Sequence, residues 1–408
     1  MAANSSLNQS LRLPCGVTLK NRLAKSAMSE NMATSHHANK QLACLYQTWA
    51  QGGVGLCISG NVMVDSTALG EPRNVVIEKG NEGLDQLKQW ASAGSKNNTS
   101  FWVQLNHPGA QSPKFLSPQP VGPSAIPLSA PLDKMFNTPK ELSKEEIANI
   151  VNRFGYAARV CREAGFKGVQ IHGAHGYLIS QFLSPKRNQR QDEYGGSIEN
   201  RMRFLKEVYE SIRDNVGPTF PVGLKINSAD FQKGGFTEEE ALFVVKTLGQ
   251  CGVDLIEISG GTYEAPTMMG AKESTQKREA YFLNFVKKIR PLIKTPLMLT
   301  GGFRDPRFME QTISDGELDV IGLARALALD PEFPNKILSG KKDKSIVKPV
   351  GSRFKILNKL FTPEITYYTY QLQRMGNGLK ANPNASVYRS MVSYGLQFGL
   401  DSLKRTRG

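Results

Sequence analysis

The sequence predicts a (β/α)8 TIM barrel, an α/β fold, with a helical extension at its C-terminal end. Eight short apolar runs alternate with amphipathic stretches between residues 20 and 330. The runs are continuous rather than alternating, which is typical of parallel strands covered by helices. Eight such units in a row favour a closed barrel. An open doubly wound sheet would carry G-x-G-x-x-G after its first strand, and residues 20–40 contain no such motif.

The predicted elements have boundaries that follow from residue type. The candidate strands span residues 22–30, 54–64, 100–109, 168–176, 221–230, 254–263, 296–303 and 319–327. Among the helices, the clearest starts are serines or threonines that suit an N-cap, and the clearest ends are glycines. These signals are Ser143 with Glu146 three residues on, Ser197 with Gly217, and Thr237 with Gly252.

The positive charge is concentrated at one end of the chain. The 408 residues carry 51 Lys and Arg against 36 Asp and Glu, a net charge of +15, and residues 336–408 alone carry 14 against 3. We therefore expect a barrel at residues 1–335 and a basic helical extension at 336–408. The barrel gives no reason to expect nucleic acid as a partner. The extension is expected to pack on the barrel as a solvated tail, and weak membrane-surface association of its basic end stays open.

Composition and cysteine usage predict a cytoplasmic enzyme. No run of about 18 apolar residues is present, so no transmembrane segment is expected. The first residues lack the charged and apolar regions of a secretory signal. The five cysteines are scattered without a C-x-x-C pair, which argues against a zinc ribbon or an iron–sulfur cluster and favours reduced thiols.

The chemistry is expected at the carboxyl ends of the predicted strands. In a barrel these ends converge on one face, which carries the active site. Polar residues and glycines lie there at Ser29, Gly60, Asn61, Gln104, His107, His172, His175, Lys225, Ser259, Gly260, Gly261, Gly301, Gly302, Gly322 and Arg325. Long connections follow the third strand (107–140) and the sixth, which contains Tyr263, Met268 and Met269, and such loops usually bind ligands or act as lids.

Two groups of these residues suit a phosphorylated cofactor. Loops after strands seven and eight of barrels often hold a phosphate, and here they supply Gly301, Gly302 and Arg325. Gln104 offers a donor and an acceptor that match the mixed edge of a flavin pyrimidine, and Lys225 could stabilise negative charge on a reduced flavin. A buried, salt-bridged Lys225 is the alternative.

The stretch "IHGAHGY" (171–177) admits three interpretations. His172 and His175 could bind a metal, but no Asp, Glu or Cys of the usual kind stands beside them. They could pack in the core. We favour a pair of imidazole donors that polarise one substrate carbonyl, with Tyr177 as a nearby general acid.

Around these residues the sequence resembles the Old Yellow Enzyme family, the FMN-dependent ene-reductases. The run "IHGAHGYLISQFLSPKRNQRQDEYGGSIENR" (171–201) is similar to the family signature over its full length. The segments "NRLAKSAMSENM" (21–32), "WVQLNHPGAQ" (102–111), "TGGF" (300–303) and "IGLARALALDP" (321–331) match in the expected order. The extension lacks the clustered cysteines of longer relatives, so no iron–sulfur cluster or second flavin domain is expected.

The resemblance implies a role for each matching position. FMN would be held by Ala27, Met28, Ser29, Gly60, Gln104, Lys225, Gly301, Gly302, Ala324 and Arg325. The substrate would be bound by His172, His175 and Tyr177, with Tyr177 protonating the α-carbon while reduced FMN supplies hydride to the β-carbon. Tyr263, in the long connection after the sixth strand, is a further expected substrate-binding residue. Two positions depart from the pattern, since Ser29 replaces Thr or Cys and Lys225 replaces the usual arginine.

The implied activity is NAD(P)H-dependent reduction of enones or enals at the activated C=C bond. Oxygen (NADH oxidase activity), quinone or nitro reduction, a histidine-metal barrel hydrolase and a non-catalytic barrel are the alternatives, and a homo-oligomer is compatible with the sequence. The rest of the signature is expected to brace the structure; it comprises Arg187, Asn188, Arg190, Asp192, Tyr194, Gly195, Gly196, Asn200 and Arg201.

Overall fold

Eight parallel strands close into a barrel in the computed structural model, which describes residues 5–265, 280–341, 343–354 and 363–405. The strands are β1 (Leu23–Lys25), β2 (Leu56–Met63), β3 (Ser100–Asn106), β4 (Gly168–Gly173), β5 (Val222–Asn227), β6 (Leu255–Ser259), β7 (Leu297–Thr300) and β8 (Val320–Leu323). Each strand pairs with its neighbour in the chain, and β1 also pairs with β8, which closes the ring. The predicted fold class is confirmed.

The helices follow the strands in the order expected of a (β/α)8 barrel. They are α1 (Lys40–Gln51), α2 (Leu84–Gly94), α3 (Lys144–Glu163), α4 (Leu178–Leu183), α5 (Ile198–Arg201), α6 (Arg203–Val216), α7 (Glu238–Gln250), α8 (Leu283–Ile289), α9 (Pro306–Ser314), α10 (Arg325–Leu329), α11 (Phe333–Leu338), α12 (Pro363–Gly376) and α13 (Val387–Arg405). None of the helices in the described ranges is long and apolar enough to cross a bilayer.

The predicted helix signals are present, with one difference. Ser143 and Thr237 each form a full capping box, and Gly217 ends α6 with φ of +74°. The single helix expected after Ser197 is instead two, because the chain turns between α5 and α6 at Met202.

All eight predicted strands exist, but each is shorter than its apolar run. For example, β4 ends at Gly173 rather than at residue 176, and β6 ends at Ser259 rather than at 263. Residues beyond these ends leave the hydrogen-bonded ladder. The apolar runs therefore predicted which residues are buried, but they did not predict which of these residues form sheet hydrogen bonds.

The interior of the barrel is closed on the side opposite the site. Trp102 of β3 fills it, and a Cβ on Gly168 or Gly223 would lie 2.6 or 2.8 Å from the indole ring. A hairpin of the short strands Leu11–Arg12 and Thr18–Leu19 packs its leucines into the same cluster. Large apolar side chains thus occupy the amino-terminal half of the barrel and leave its polar residues to the carboxyl ends.

Two arginines of the signature run brace the long connection after β3. Arg187 donates to the carbonyls of Ile126 and Pro127, and Arg190 donates to those of Pro123 and Leu142. These bonds fix the loop beside α4. Most of the connection after β6, including Met268 and Met269, lies outside the described residues.

The extension beyond residue 335 contributes helices that pack on the barrel. The start of α1 contacts the end of α12, where Gln41 donates to the side chain of Asn377 at 2.7 Å and Cys44 to the carbonyl of Met375 at 3.5 Å. The same helix α12 lies against α10, which follows the last barrel strand. A part of the extension therefore borders the site.

Candidate active site

Strand register brings the predicted ring-binding residues to one level of the barrel. Gln104 of β3 pairs with Gln170 of β4, while Lys225 of β5 pairs with both His172 of β4 and Glu257 of β6. In parallel strands, side chains at paired positions point to the same face of the sheet. These polar groups therefore share the barrel interior.

A buried chain of polar contacts connects these side chains. The Lys225 ammonium forms an ion pair with Glu257 at 2.9 Å. Glu257 also accepts from Gln170 at 2.7 Å, and Gln170 accepts from Gln104 at 2.7 Å. The structure thus shows Lys225 in the salt-bridged arrangement that the sequence left open. Glu257 was missed, although an acidic residue inside the apolar run "DLIEIS" was a usable signal.

The Gln104 side chain leaves one acceptor unused. Gln104 is 1% exposed, and its Oε1 has no hydrogen-bond partner among the described residues. A buried acceptor without a donor costs about 1–3 kcal/mol. The imide N–H of a flavin pyrimidine is a donor of the kind this oxygen lacks, so the residues present fit the predicted cofactor.

The ring of His172 is held in one tautomer. Its Nδ1 accepts the backbone N–H of Ala174 at 3.3 Å, so the hydrogen of the neutral ring resides on Nε2. Burial, followed by the charges of His175 and Lys225, lowers the pKa of His172 well below its ordinary value. His172 is therefore a neutral hydrogen-bond donor at physiological pH.

His175 lies beside His172 on a strained turn. Its φ of +63° is in the left-handed region, and its backbone N–H donates to Asn227 Oδ1 at 3.2 Å. The Nε2 atom lies 2.8 Å from the Ser259 hydroxyl. Burial and then Lys225 lower the pKa of His175 well below its ordinary value, so this imidazole is also neutral.

The arrangement of the histidines does not resemble a metal centre. The rings of His172 and His175 are 5.1 Å apart and meet edge to face. The third histidine of this face, His107, accepts the Gly109 N–H through Nδ1 at 3.1 Å. No cluster of three or more His, Cys, Asp or Glu with metal-binding geometry occurs among residues 5–265, 280–341, 343–354 and 363–405.

Tyr177 is placed next to His172 at the start of α4. Its ring lies 4.8 Å from that of His172, and its hydroxyl is 2.8 Å from the hydroxyl of Tyr263. Asn61 donates to the same hydroxyl at 3.4 Å. Burial raises the pKa of Tyr177 to about 12, which keeps the phenol protonated. The structure therefore brings His172, His175, Tyr177 and Tyr263 together, as predicted.

The residues after β1 have partners that the sequence did not predict. Ser29 donates to the Glu71 carboxylate, and the Gly60 N–H donates to Glu30 at 2.8 Å. Burial and the neighbouring Glu30 raise the pKa of Glu71 to about 7. Ala27 and Met28, between β1 and Ser29, are half-buried and pack on the barrel core. Nothing in the local sequence distinguished Glu30 or Glu71 from surface carboxylates.

The residues predicted to bind the cofactor phosphate also lie close to one another. Thr300 pairs with Gly322, so the loops after β7 and β8 leave the barrel side by side. Gly301 and Gly302 have φ of +122° and +90°, and the ring of Tyr281 lies against them, because a Cβ on Gly302 would be 2.5 Å from its Cε1. Arg325, which follows Ala324 at the start of α10, donates to the Tyr281 hydroxyl at 3.4 Å.

Comparison with known proteins decides the family. The chain matches the model of the NADH:flavin oxidoreductase / NADH oxidase family over residues 13–344. The chain belongs to this family. Members use FMN with NADH or NADPH as the reductant, so the predictions of an FMN- and NAD(P)H-dependent oxidoreductase and of the family are confirmed.

The names of individual relatives agree with this family assignment. The chain is 38% identical to the NADH-dependent flavin oxidoreductase iliE of Neonectria sp. over 81% of its own length, but it spans only 47% of that relative. It is 36% identical to iccE of Talaromyces variabilis, a protein with the same description, over 82% of this chain and 87% of the relative. An NADH oxidase of Thermoanaerobacter brockii is 34% identical over 80% of the chain and 50% of the relative.

Solved structures share the architecture. A 2-naphthoyl-CoA reductase in complex with 2-naphthoyl-CoA superposes with a TM-score of 0.81 at 26% identity, covering 92% of this chain and 58% of that one. An Old Yellow Enzyme homologue from Zymomonas mobilis superposes with a TM-score of 0.70 at 25% identity, covering 84% and 95%.

Proposed function

We propose that this chain is an ene-reductase that reduces the activated C=C bond of α,β-unsaturated carbonyl compounds. The observation that carries the proposal is the wall made by His172, His175 and Tyr177, two neutral imidazoles beside a protonated phenol. Bound FMN, reduced by NAD(P)H, supplies the hydride for the β-carbon. The residues of the wall supply the hydrogen bonds and the proton.

In His172 the hydrogen-bond donor is assigned to one ring nitrogen, Nε2. Its Nε2 hydrogen is directed away from the Ala174 N–H that holds Nδ1, and it is free to bond a substrate carbonyl oxygen. His175 enters as the second donor by exchanging its contact with Ser259 for the same oxygen. Two donors draw electron density from the β-carbon and stabilise the enolate-like charge that develops on the oxygen during hydride transfer.

Tyr177 completes the addition of two hydrogens. Its hydroxyl gives a proton to the α-carbon as the enolate collapses, which leaves a saturated carbonyl product. Tyr263, whose hydroxyl is 2.8 Å away, is 39% exposed. Tyr263 is therefore the hydrogen-bond partner through which Tyr177 would regain its proton.

The remaining predicted positions have defined parts in the proposal. Ala27, Met28, Ser29, Gly60, Gln104 and Lys225 would hold the FMN ring, while Gly301, Gly302, Ala324 and Arg325 would hold its phosphate. Gln104 is supported by its unpartnered oxygen. Lys225 would act together with Glu257, so its charge reaches the cofactor partly compensated.

A second acceptor class is favoured by one comparison. A relative that is 34% identical is named NADH oxidase, so oxygen, and by the same chemistry quinones or nitro compounds, are alternative oxidants. Reduction of these acceptors needs no proton on carbon. It therefore does not depend on Tyr177 in the way that enone reduction does.

The Tyr177→Phe variant separates the two proposals. We expect turnover of cyclohex-2-enone to fall by about 10²–10⁴, since general acid catalysis contributes about that much. The rate of flavin reduction by NAD(P)H and turnover with a quinone should stay unchanged. Both half-reactions are measured anaerobically by stopped-flow absorbance.

The control is Tyr156→Phe, which removes a tyrosine hydroxyl hydrogen-bonded to Glu82 away from the wall. This variant should behave as the wild type with every acceptor. Wild-type enone turnover in Tyr177→Phe would contradict the assignment of Tyr177 as the proton donor. Absence of enone turnover in the wild type, with rapid quinone turnover, would favour the second class.

A further inference from the structure

The C-terminal extension reaches the proposed phosphate site through α12. Glu364, in the first turn of α12, accepts from Arg325 Nη1 at 3.3 Å with both carboxylate oxygens. Arg325 also contacts the Tyr281 hydroxyl. The arginine assigned to the phosphate is thus flanked by a side chain from outside the barrel.

A second residue of the same helix faces this site. Tyr368 follows Glu364 by four residues, which places both side chains on one face of α12. Tyr368 is 7% exposed, and its hydroxyl has no hydrogen-bond partner in the described part of the chain. Burial raises the pKa of Tyr368, and the charges of Arg325 and Glu364 both act on it. The hydroxyl is therefore a protonated donor on the face of α12 that carries Glu364, the partner of Arg325.

The adjacent tyrosine shows that the helix does not leave its hydroxyls unpaired by default. Tyr367 is 4% exposed, and its hydroxyl donates to the carbonyl of Pro383 at 2.7 Å. Two neighbouring, equally buried tyrosines therefore differ in one respect. The hydroxyl of Tyr367 is satisfied inside the extension, while that of Tyr368 is a buried donor without an acceptor among the described residues.

We propose that the Tyr368 hydroxyl donates a hydrogen bond to the phosphate of FMN, so that the C-terminal extension supplies a cofactor-binding residue. The inference rests on the proposed phosphate site at Gly301, Gly302 and Arg325. A phosphate monoester brings up to two negative charges and three acceptor oxygens. Because Glu364 already compensates part of the Arg325 charge, a neutral donor adds affinity without adding a further charge to bury.

The test compares FMN with riboflavin, which has the same ring but no phosphate. Dissociation constants are measured by flavin fluorescence on the full chain after removal of bound flavin. In Tyr368→Phe, we expect the dissociation constant of FMN to rise about tenfold or more, as for loss of a hydrogen bond to a charged group. The dissociation constant of riboflavin should stay as in the wild type.

Tyr367→Phe is the matched control. It removes a satisfied hydroxyl from the next position, so it should lower thermal stability and leave the ratio of FMN to riboflavin affinity unchanged. Tyr368→Phe should not lower the Tm of the flavin-free chain, since the hydroxyl it removes has no partner there. As a second variant, Glu364→Gln should tighten FMN binding and leave riboflavin binding unchanged.

Three outcomes decide the inference. A raised FMN dissociation constant in Tyr368→Phe, with unchanged riboflavin binding, supports it. A wild-type affinity ratio in Tyr368→Phe, while Arg325→Ala lowers FMN affinity, overturns the role of Tyr368 and leaves the phosphate site standing. A wild-type ratio in both variants overturns the site at Arg325 and the inference with it.

Discussion

The two ends of the proposed flavin site differ in where their polar groups find partners. At the ring end, the polar side chains form hydrogen bonds and an ion pair with one another inside the barrel, through Lys225, Glu257, Gln170 and Gln104. Only one oxygen of Gln104 has no partner among the described residues. At the phosphate end, Arg325 finds its carboxylate on a helix beyond the barrel. The barrel alone therefore organises the ring end, whereas the phosphate end depends on the extension.

The largest expected effect comes from breaking the buried ion pair at the ring end. The Lys225 and Glu257 side chains are 4% and 0% exposed. In Lys225→Met the carboxylate stays buried without its counter-ion, so we expect a loss of about 3–5 kcal/mol in the free energy of unfolding. Urea denaturation measures it, and adding Glu257→Gln to this variant should restore much of the loss.

The matched change at the phosphate end sharpens the contrast. Arg325 and Glu364 side chains are each 29% exposed, so solvent screens their interaction. Arg325→Met should therefore cost only about 0–1 kcal/mol of unfolding free energy. Equal losses in Lys225→Met and Arg325→Met would contradict the distinction between the two ends.

A change in the glycine pair is expected to have an intermediate effect. Gly302→Ala adds a Cβ that would lie 2.5 Å from Tyr281 Cε1 and 3.0 Å from the Ala280 nitrogen, at a φ of +90°. We expect weaker FMN binding and a loss of about 2–4 kcal/mol, from left-handed backbone strain plus overpacking.

The control for this variant is Gly316→Ala. Gly316 also has a positive φ of +70°, but no atom lies within 4 Å of its added Cβ. It should lower the Tm through backbone strain alone and leave the FMN dissociation constant unchanged. If the two variants bind FMN equally well, Gly302 does not form part of the phosphate site.

A pH dependence of stability is also expected at the ring end. Burial and Glu30 raise the pKa of Glu71 to about 7 from an ordinary value of 4.5. The folded state thus prefers the protonated carboxyl, and the stability gained below about pH 4.5 is lost as the pH rises through 7. Glu71→Gln mimics the protonated form and should become more stable than the wild type between pH 5 and pH 8.

A Tm series of the flavin-free chain at pH 5–9 checks this prediction. The exposed Glu145 at the start of α3 serves as the control. Glu145→Gln should show no such gain over the same interval. A constant Tm difference between wild type and Glu71→Gln across the series would mean that Glu71 does not titrate there.

The sequence predicted the parts of the molecule that obey local rules. The barrel follows from continuous apolar runs, and the capping boxes at Ser143 and Thr237 follow from residue type. The wall of His172, His175 and Tyr177 was predicted because its residues are close in the chain. The strand ends converged as the barrel geometry requires.

The parts that escaped prediction depend on contacts between distant segments. Glu71 meets Ser29 only when a loop folds back over β1, and Tyr281 reaches Arg325 only in the closed barrel. Glu364 and Tyr368 lie in an aromatic-rich extension whose pattern predicts helix but not which face it turns to the barrel. Periodicity carries no information about such pairings.

The contact between Glu364 and Arg325 has a consequence for how the cofactor is retained. In the proposed phosphate site, two of the groups around the phosphate would come from a helix outside the barrel. A chain shortened ahead of Pro363 would release Arg325 from its carboxylate and remove Tyr368 in the same step. In such a chain the two losses act on FMN affinity in opposite directions, since the freed Arg325 charge strengthens phosphate binding and the missing Tyr368 donor weakens it.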